Sequence, residues 1–354
     1  MTFRQIPRLI ETGLVAFLGG FLFYLANFPL PWVLGAVTFI MLWQGITNRE
    51  ALIPISIRNT GFVILGIYFG LYFTAETFQT ILPYFIPYIL FTCVLILLSI
   101  LLGVLVSRWV NVDKVTSVFS IIPGGLTEMA IASRDMNANA GLVVIFQTIR
   151  LITVLFTVPA FMMFVFIEGG QQASNQMVTE AANVELWNYL WFIIPIVGAL
   201  YIRHKIPAGI IIGALLLTAI LNVSPAELGV VPPVLMNAAQ IVVGASLGKN
   251  ILFRDLKLGG KYCFIYFGLA IILIITSFGL AILLANVTSL DYPTAILSLA
   301  PGGLIEMVLT AYTVGGDPAI VSALQLMRIL VIVIGVPPFL KWWFNRKREG
   351  KEVS

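Results

Sequence analysis

Side chains that bind metals or carry redox chemistry are almost absent from this sequence. It contains one histidine, His204, and two cysteines, Cys93 and Cys263. Copper and di-iron enzymes need several imidazoles or clusters of carboxylates and histidines, so this scarcity argues against both classes. We interpret both cysteines as small core residues because they lie inside apolar runs, and we expect His204 to be solvated in the basic turn "YIRHKIP". We therefore expect neither a metal nor a cofactor.

Motifs of common enzyme classes are missing as well. The chain has no Walker loop, dinucleotide fingerprint, nucleophile elbow or HExxH motif. ATP-driven pumping and intramembrane proteolysis by these routes lack support, and we expect the protein not to be an enzyme.

Charge is also scarce. Only 10% of the 354 residues are charged and 60% are hydrophobic, whereas soluble domains have roughly a quarter of their residues charged. Apolar runs such as 84–106, 141–167 and 262–285 reach the ~20 residues that a spanning helix needs. A β-barrel would show short alternating segments instead, so the sequence predicts an all-α polytopic membrane protein in a lipid bilayer. The net charge of +4 comes from loops and tails, which leaves no basic face for nucleic acid.

An internal repeat is the most informative feature of the sequence. "SIIPGGLTEM" begins at Ser120, and "SLAPGGLIEM" begins at Ser298, 178 residues later. The same offset pairs further residues along both halves: Gly35 with Gly213, Asn59 with Asn237, Gly66 with Gly244, Gly70 with Gly248, Gln147 with Gln325, Arg150 with Arg328, and Pro159 with Pro337. Such matches are hard to obtain by chance in Leu- and Ile-rich helices. The repeat predicts two membrane domains, 1–178 and 179–354.

The distribution of Lys and Arg predicts the topology, because cytoplasmic loops are enriched in both. Basic residues cluster near the following positions: 4–8, 49, 108–114, 203–205, 249–261 and 341–351. With the N-terminus inside, the basic and non-basic connections alternate only if each half has five crossings and one re-entrant element. Five is odd, so the second repeat is inverted and both termini are cytoplasmic. This topology places Arg254 and Lys347 inside and Ser174 outside.

Two segments, at about 116–135 and 294–313, are too short and too interrupted for ordinary spans. The interruptions are Pro123, Gly124 and Gly125 in the first segment, and Pro301, Gly302 and Gly303 in the second. We interpret each segment as two half-helices that meet at a tip. Unpaired backbone at membrane depth is tolerated only where it is buried in protein or lines an aqueous cavity, so the tips imply a cavity. In inverted repeats they should approach each other, and the sequence leaves open whether each segment is re-entrant or a broken span.

Each second half-helix carries a glutamate in its first turn, Glu128 or Glu306, three residues after the second glycine. Either carboxylate could simply cap free N–H groups and complement the helix dipole. The functional alternative is that both bind a coupling proton or Na⁺ near the membrane midplane.

Each long helix that follows carries an arginine, Arg150 or Arg328, about ten residues from its start. An unpaired arginine at that depth costs ~2.5–3.5 kcal/mol, so each needs a partner. The partner could be the glutamate of the same repeat, or a carboxylate or phosphate of a substrate. Gln147 and Gln325, three residues earlier, would extend either arrangement.

Asn59 and Asn237 precede glycine-rich helices and are weaker site candidates. The spacing of Gly66 with Gly70, repeated in the second half, is typical of closely packed membrane helices. A structural role is therefore favoured for these helices, although both asparagines stay candidate binding residues.

The segments "PGGLTEM" and "PGGLIEM", with the Q-x-x-R motifs that begin at Gln147 and Gln325, resemble the AbrB duplication-domain family of bacterial membrane proteins. Members are labelled AbrB family transcriptional regulators or ammonia monooxygenases. Neither label suits a chain without a metal cluster or a DNA-binding region. The architecture is similar to inverted-repeat secondary transporters with bile-acid and cation–proton antiporter folds. This resemblance implies a location in the bacterial inner membrane and, by fold analogy, favours transport.

Two functions follow from these observations. The first is a proton- or sodium-coupled secondary transporter that moves a small polar or anionic metabolite by alternating access. The second is a membrane regulator or sensor that uses a transporter-like fold without transport. A sensor normally needs an output domain, and the tail "KWWFNRKREGKEVS" is too short to be one. The substrate, the coupling ion and assembly as a homodimer are left open.

Overall fold

The computed structural model describes residues 6–166, 186–206, 208–225 and 227–352. These residues form α-helices and short 3-10 helices, with no β-strand among them. Ser174 and the side chain of Lys347 lie outside the described part of the chain.

The first half contains eight α-helices among its described residues. They are α1 (Ile6–Leu25), α2 (Pro31–Thr47), α3 (Ile55–Gly70), α4 (Ala75–Ile81), α5 (Phe85–Val106), α6 (Lys114–Ile121), α7 (Leu126–Asp135) and α8 (Ala140–Phe166).

The second half repeats this order over the part that is described. A 3-10 helix (Leu186–Phe192) leads into α9 (Ile193–Ile202), α10 (Gly209–Val223), α11 (Pro233–Lys249), α12 (Phe253–Gly259), α13 (Tyr262–Val287), α14 (Tyr292–Leu299), α15 (Leu304–Val314) and α16 (Pro318–Glu352). The starts of α4 and α12, of α6 and α14, and of α8 and α16 each lie 178 residues apart. The helices therefore recur at the offset seen in the sequence.

Among the described residues, five helical segments are long and apolar enough to cross a membrane. They are Ile6–Leu25, Ala75–Val106, Ala140–Phe166, Tyr262–Val287 and Pro318–Phe344. Shorter apolar helices, such as α2, α3 and α10, accompany them. This composition indicates a helical membrane protein.

Contacts divide the chain into two compact units, and each unit takes segments from both halves. The first unit comprises Met1–Leu82, Leu155–Leu258 and Gly303–Ser322, and the second comprises Pro83–Val154, Gly259–Gly302 and Ala323–Ser354. Closely packed helices hold the first unit together, whereas the second contains a buried cluster of large apolar side chains.

Glycines allow the helices of the first unit to approach closely. A Cβ atom at Gly70 would lie 2.7 Å from the carbonyl oxygen of Leu215 in α10, and one at Gly248 would lie 2.7 Å from that of Val37 in α2. The close packing predicted from the glycine spacing is confirmed, and it is reciprocal: α3 packs on α10, and α11 packs on α2.

The second unit surrounds the first interrupted segment with apolar side chains. Phe119, Ile122 and Met129 pack with α5 residues and with Ile332 and Val336 of α16. Asp113 caps the start of α6 by accepting a 2.8 Å hydrogen bond from the backbone N–H of Thr116. Asp291, its equivalent, caps α14 in the same way through Thr294, at 3.0 Å.

The interpretation of Cys93 as a core residue is wrong, because its side chain in α5 is exposed. Lipid and protein core are both apolar, so an apolar run does not reveal which face of a spanning helix is buried. Cys263 is partly buried, and His204 is exposed as expected.

Candidate functional site

The first interrupted segment breaks at residues 122–125, between α6 and α7. Pro123 has no backbone N–H, so the carbonyl of Phe119, four residues earlier, cannot receive its usual helical hydrogen bond. Gln147 replaces that donor: its side-chain Nε2 donates to the Phe119 oxygen at 2.6 Å and to the Ile122 oxygen at 3.0 Å. The glutamine side chain therefore supplies the hydrogen-bond donor that the proline removes from the helix.

Arg150 completes the capping of this helix end. One terminal nitrogen donates to the Ile122 oxygen at 2.5 Å, and the other donates to the Gly124 oxygen at 3.0 Å. The carbonyl end of a helix carries partial negative charge, which complements the guanidinium. Arg150 is only 8% exposed. The hydrogen bonds therefore pair the free carbonyls of the helix end and, at the same time, a buried guanidinium.

The second interrupted segment has the same contacts. Gln325 donates to the oxygens of Leu297 and Ala300, and Arg328 donates to those of Ala300 and Gly302. The sequence separations between donor and acceptor, 28, 25, 28 and 26 residues, are identical in both halves. Pro301 again removes the N–H that Leu297 would use, so the repeat preserves an arrangement and not merely residue types.

The terminal nitrogens of the arginines donate to backbone carbonyls, an arrangement that the sequence did not suggest. Among the described residues, no ion pair joins Arg150 to Glu128. The terminal guanidinium nitrogens bind backbone carbonyls, which a search for charged partners in the sequence overlooks. The Nε atoms of Arg150 and Arg328 are buried and have no hydrogen-bond partner among the described residues.

The two arginines belong to the same compact unit. The buried Oε1 atoms of Gln147 and Gln325 also have no hydrogen-bond partner in the described part of the chain. Each motif therefore presents one unpaired donor and one unpaired acceptor. Such groups could be satisfied by water, an ion or a substrate.

Each glutamate folds back over the last glycine of its tip. The carboxylate of Glu128 contacts the place that a Cβ atom of Gly125 would occupy, and Glu306 does the same at Gly303. Gly125 has φ −67° and ψ 141°, and Gly303 has φ −76° and ψ 152°, which are conformations that any residue adopts. Any preference for glycine at these two positions therefore comes from the space that the carboxylate occupies and not from the backbone angles.

The surroundings of the two glutamates differ. Glu306 is 4% exposed, whereas Glu128 is partly exposed. Both lie in the first turn of a half-helix, α7 or α15, where a negative charge complements the helix dipole. The equivalent positions are thus identical in sequence and local fold but unequal in access.

Asn59 and Asn237 each line a cavity in the first unit. Asn59 is 6% exposed, and its Oδ1 atom has no hydrogen-bond partner among the described residues. It lines a cavity of about 460 Å³ along α3 and α9. Asn237 lines a second cavity of about 600 Å³, together with Tyr68, Gln240 and Tyr312. These last three residues were not identified from the sequence, because the 178-residue offset does not pair them with like residues.

A family model described as "Transition state regulatory protein AbrB" matches residues 32–344. The chain belongs to this family. The interrupted segments and both Q-x-x-R motifs lie inside the matched range, so the resemblance drawn from these motifs is confirmed.

Two curated relatives of this AbrB-family protein are similar to it along most of their length. "Uncharacterized protein YhjN" of Bacillus subtilis (strain 168) is 25% identical over 356 residues, covering 94% of this chain and 92% of the relative. "Putative regulator AbrB" of Escherichia coli (strain K12) is 25% identical over 256 residues, covering 70% of this chain and 72% of the relative.

Proposed function

We propose that this AbrB-family membrane protein is a secondary transporter, coupled to protons or Na⁺, that moves a small polar or anionic metabolite by alternating access. The observation that carries this proposal is the pair of interrupted helices whose carbonyl ends are capped by buried Gln and Arg side chains. In membranes, discontinuous helices of this kind are tolerated where they line a binding cavity, and transporters place substrate and ion sites there.

The proposed topology has two inverted repeats, each with five crossings and one interrupted element, and both termini in the cytoplasm of a bacterium. The alternation of basic connections supports it, as does the recurrence of the helices at one offset. An inverted repeat gives a transporter two related conformations, one open to each side.

Glu306 and Glu128 are the proposed coupling residues. An ionised carboxylate at membrane depth is costly, so binding of a proton or a cation at the buried Glu306 would be favourable. Alternating access also requires the two repeats to differ at any moment. The unequal exposure of the two glutamates supports this assignment.

The arginines and glutamines are proposed to hold the tips and to contribute to the substrate site. Because both terminal nitrogens of each guanidinium bind carbonyls, a bidentate grip on a substrate anion would require those bonds to break. The unpaired Nε atoms and the unpaired amide oxygens are the groups left for a small polar substrate. This arrangement favours single hydrogen bonds to the substrate over a bidentate contact with both terminal nitrogens of one guanidinium.

The test uses purified protein. A thermal-shift panel of carboxylates, amino acids and Na⁺ at several pH values identifies ligands, and proteoliposomes then measure uptake of each ligand under a proton or Na⁺ gradient. We expect gradient-driven uptake that Glu306→Gln abolishes. Glu76→Gln is the matched control, because Glu76 lies in the first turn of α4 but is exposed. Undiminished gradient-driven uptake by the Glu306→Gln variant would remove this residue from the coupling mechanism.

A regulator or sensor without transport is the second candidate. The description of the family and the name of the Escherichia coli relative favour it. A sensor would bind a ligand in the thermal-shift panel, yet the same ligand would not cross the membrane of proteoliposomes under any gradient.

A further inference from the structure

The second cavity in the first unit has the composition of a ligand site. Its volume, about 600 Å³, falls in the range of ~300–1,000 Å³ typical of small-molecule pockets. Aromatic residues, Trp32, Tyr68 and Tyr312, form part of its wall, together with Asn237 and Gln240 of α11. No described residue that lines it carries a charge.

Gln240 is the decisive polar group. Its side chain is 7% exposed, lines the cavity, and makes no hydrogen bond to another described residue. Its amide atoms are not among the buried atoms without a partner in the described residues, so they are accessible from the cavity, where a ligand with matching groups can pair with them. Asn237 lies three residues earlier and therefore on the same face of α11, so two amides are available.

The aromatic wall is held in place by its own contacts. The hydroxyls of Tyr68 and Tyr72 lie 2.7 Å apart. The ring of Tyr312 meets that of Tyr68 edge-on, with centroids 6.3 Å apart. A preformed aromatic surface binds rings with little loss of side-chain entropy.

The lack of charge in the wall determines the ligand class. An ion that enters would lose its hydration without gaining a charged partner, which is costly in apolar surroundings. We infer that this cavity binds an uncharged, amphipathic small molecule, with its ring against Tyr68 and Tyr312 and its amide or hydroxyl groups paired with Gln240 and Asn237. This inference goes beyond the proposed function and does not depend on it, because a sensor could use the cavity as readily as a transporter.

A matched series of probes tests the ligand class on the full-length protein in detergent. Naphthamide, naphthoate and a naphthylmethyl trimethylammonium salt share one ring system and differ in charge. We expect naphthamide to bind at least tenfold more tightly than naphthoate by calorimetry. Equal or tighter binding of naphthoate would overturn the inference, as would no binding of naphthamide. Tightest binding of the quaternary ammonium salt would also overturn it and would indicate a cation–π cage.

Variants locate the site. Gln240→Leu should weaken naphthamide binding at least tenfold, whereas Ser56→Ala, in the other cavity, should leave it unchanged. Should Gln240→Leu fail to fold, Met236→Trp supplies the test, because the larger side chain fills the same cavity and should abolish binding. Unchanged naphthamide binding in the folded Gln240→Leu variant, or in Met236→Trp, would refute the assignment.

Discussion

The contact between Gly303 and Glu306 predicts that Gly303→Ala changes the free energy of unfolding in opposite directions with and without the Glu306 carboxylate. An alanine at Gly303 meets no backbone strain, because φ −76° and ψ 152° suit any residue. Its Cβ atom would overlap the Glu306 carboxylate, and that carboxylate supplies the three atoms nearest to it. The cost of Gly303→Ala should therefore come from displacement of one side chain.

The magnitude follows from opposing effects. Overpacking of this kind costs about 1–3 kcal/mol. Gly→Ala at a compatible position stabilises the protein by about 0.4–1 kcal/mol, because alanine lowers the conformational entropy of the unfolded chain. Gly303→Ala should thus lower stability in the native background but become neutral or stabilising once Glu306→Ala has removed the carboxylate. The two changes should couple by roughly 1–3 kcal/mol.

The assay is a double-mutant cycle in unfolding free energy, measured by SDS titration or steric trapping of the purified protein. Gly125 and Glu128 provide the matched site: Glu128 is partly exposed and can move aside, so Gly125→Ala should cost less than Gly303→Ala. Additive effects at Gly303 and Glu306 would refute the idea that the glycine exists to accommodate the carboxylate.

Three further predictions concern capping, packing and topology. Arg150→Gln should lose the 3.0 Å hydrogen bond to the Gly124 oxygen and lower the melting temperature. Adding Glu128→Gln should not restore the melting temperature, because the partner of Arg150 is a carbonyl. A double variant that recovers the native melting temperature would indicate an ion pair instead. Gly70→Ala should destabilise by about 1–3 kcal/mol through overpacking, whereas Gly268→Ala, with nothing within 4 Å of its Cβ position, should not; equal melting temperatures would argue against close packing at Gly70. A cysteine at Arg254 should resist an impermeant thiol reagent in intact cells, and strong external labelling there would contradict the proposed topology.

Much of the architecture could be predicted from the sequence because it depends on residue types with fixed physical consequences. Pro123 and the two glycines after it locate the interruption, since proline removes a donor and disfavours a helical residue before it. The spacing of Gly66 and Gly70 indicates a close helix contact, although not which helix is contacted. The offset of 178 residues carries these features from one half to the other.

The partners of the buried polar groups could not be predicted. Every residue has a carbonyl, so no sequence pattern marks the oxygens of Phe119 and Gly124 as the acceptors for Gln147 and Arg150. The contact at Gly303 could not be predicted for a similar reason, because only the three-dimensional structure shows that the Glu306 carboxylate occupies the place of a Cβ atom there. The exposure of Cys93 was missed because lipid and protein core favour the same residue types.

The central claim is that the protein moves a ligand across the membrane and that Glu306 couples this movement to an ion. The most direct measurement compares two modes in proteoliposomes for a ligand identified by thermal shift: accumulation under an ion gradient, and exchange of labelled for unlabelled ligand without a gradient. We predict that the native protein performs both, and that Glu306→Gln retains exchange but loses accumulation, because the neutral amide cannot carry the coupling charge. A ligand that binds the native protein but is neither accumulated nor exchanged would contradict transport and favour a sensor.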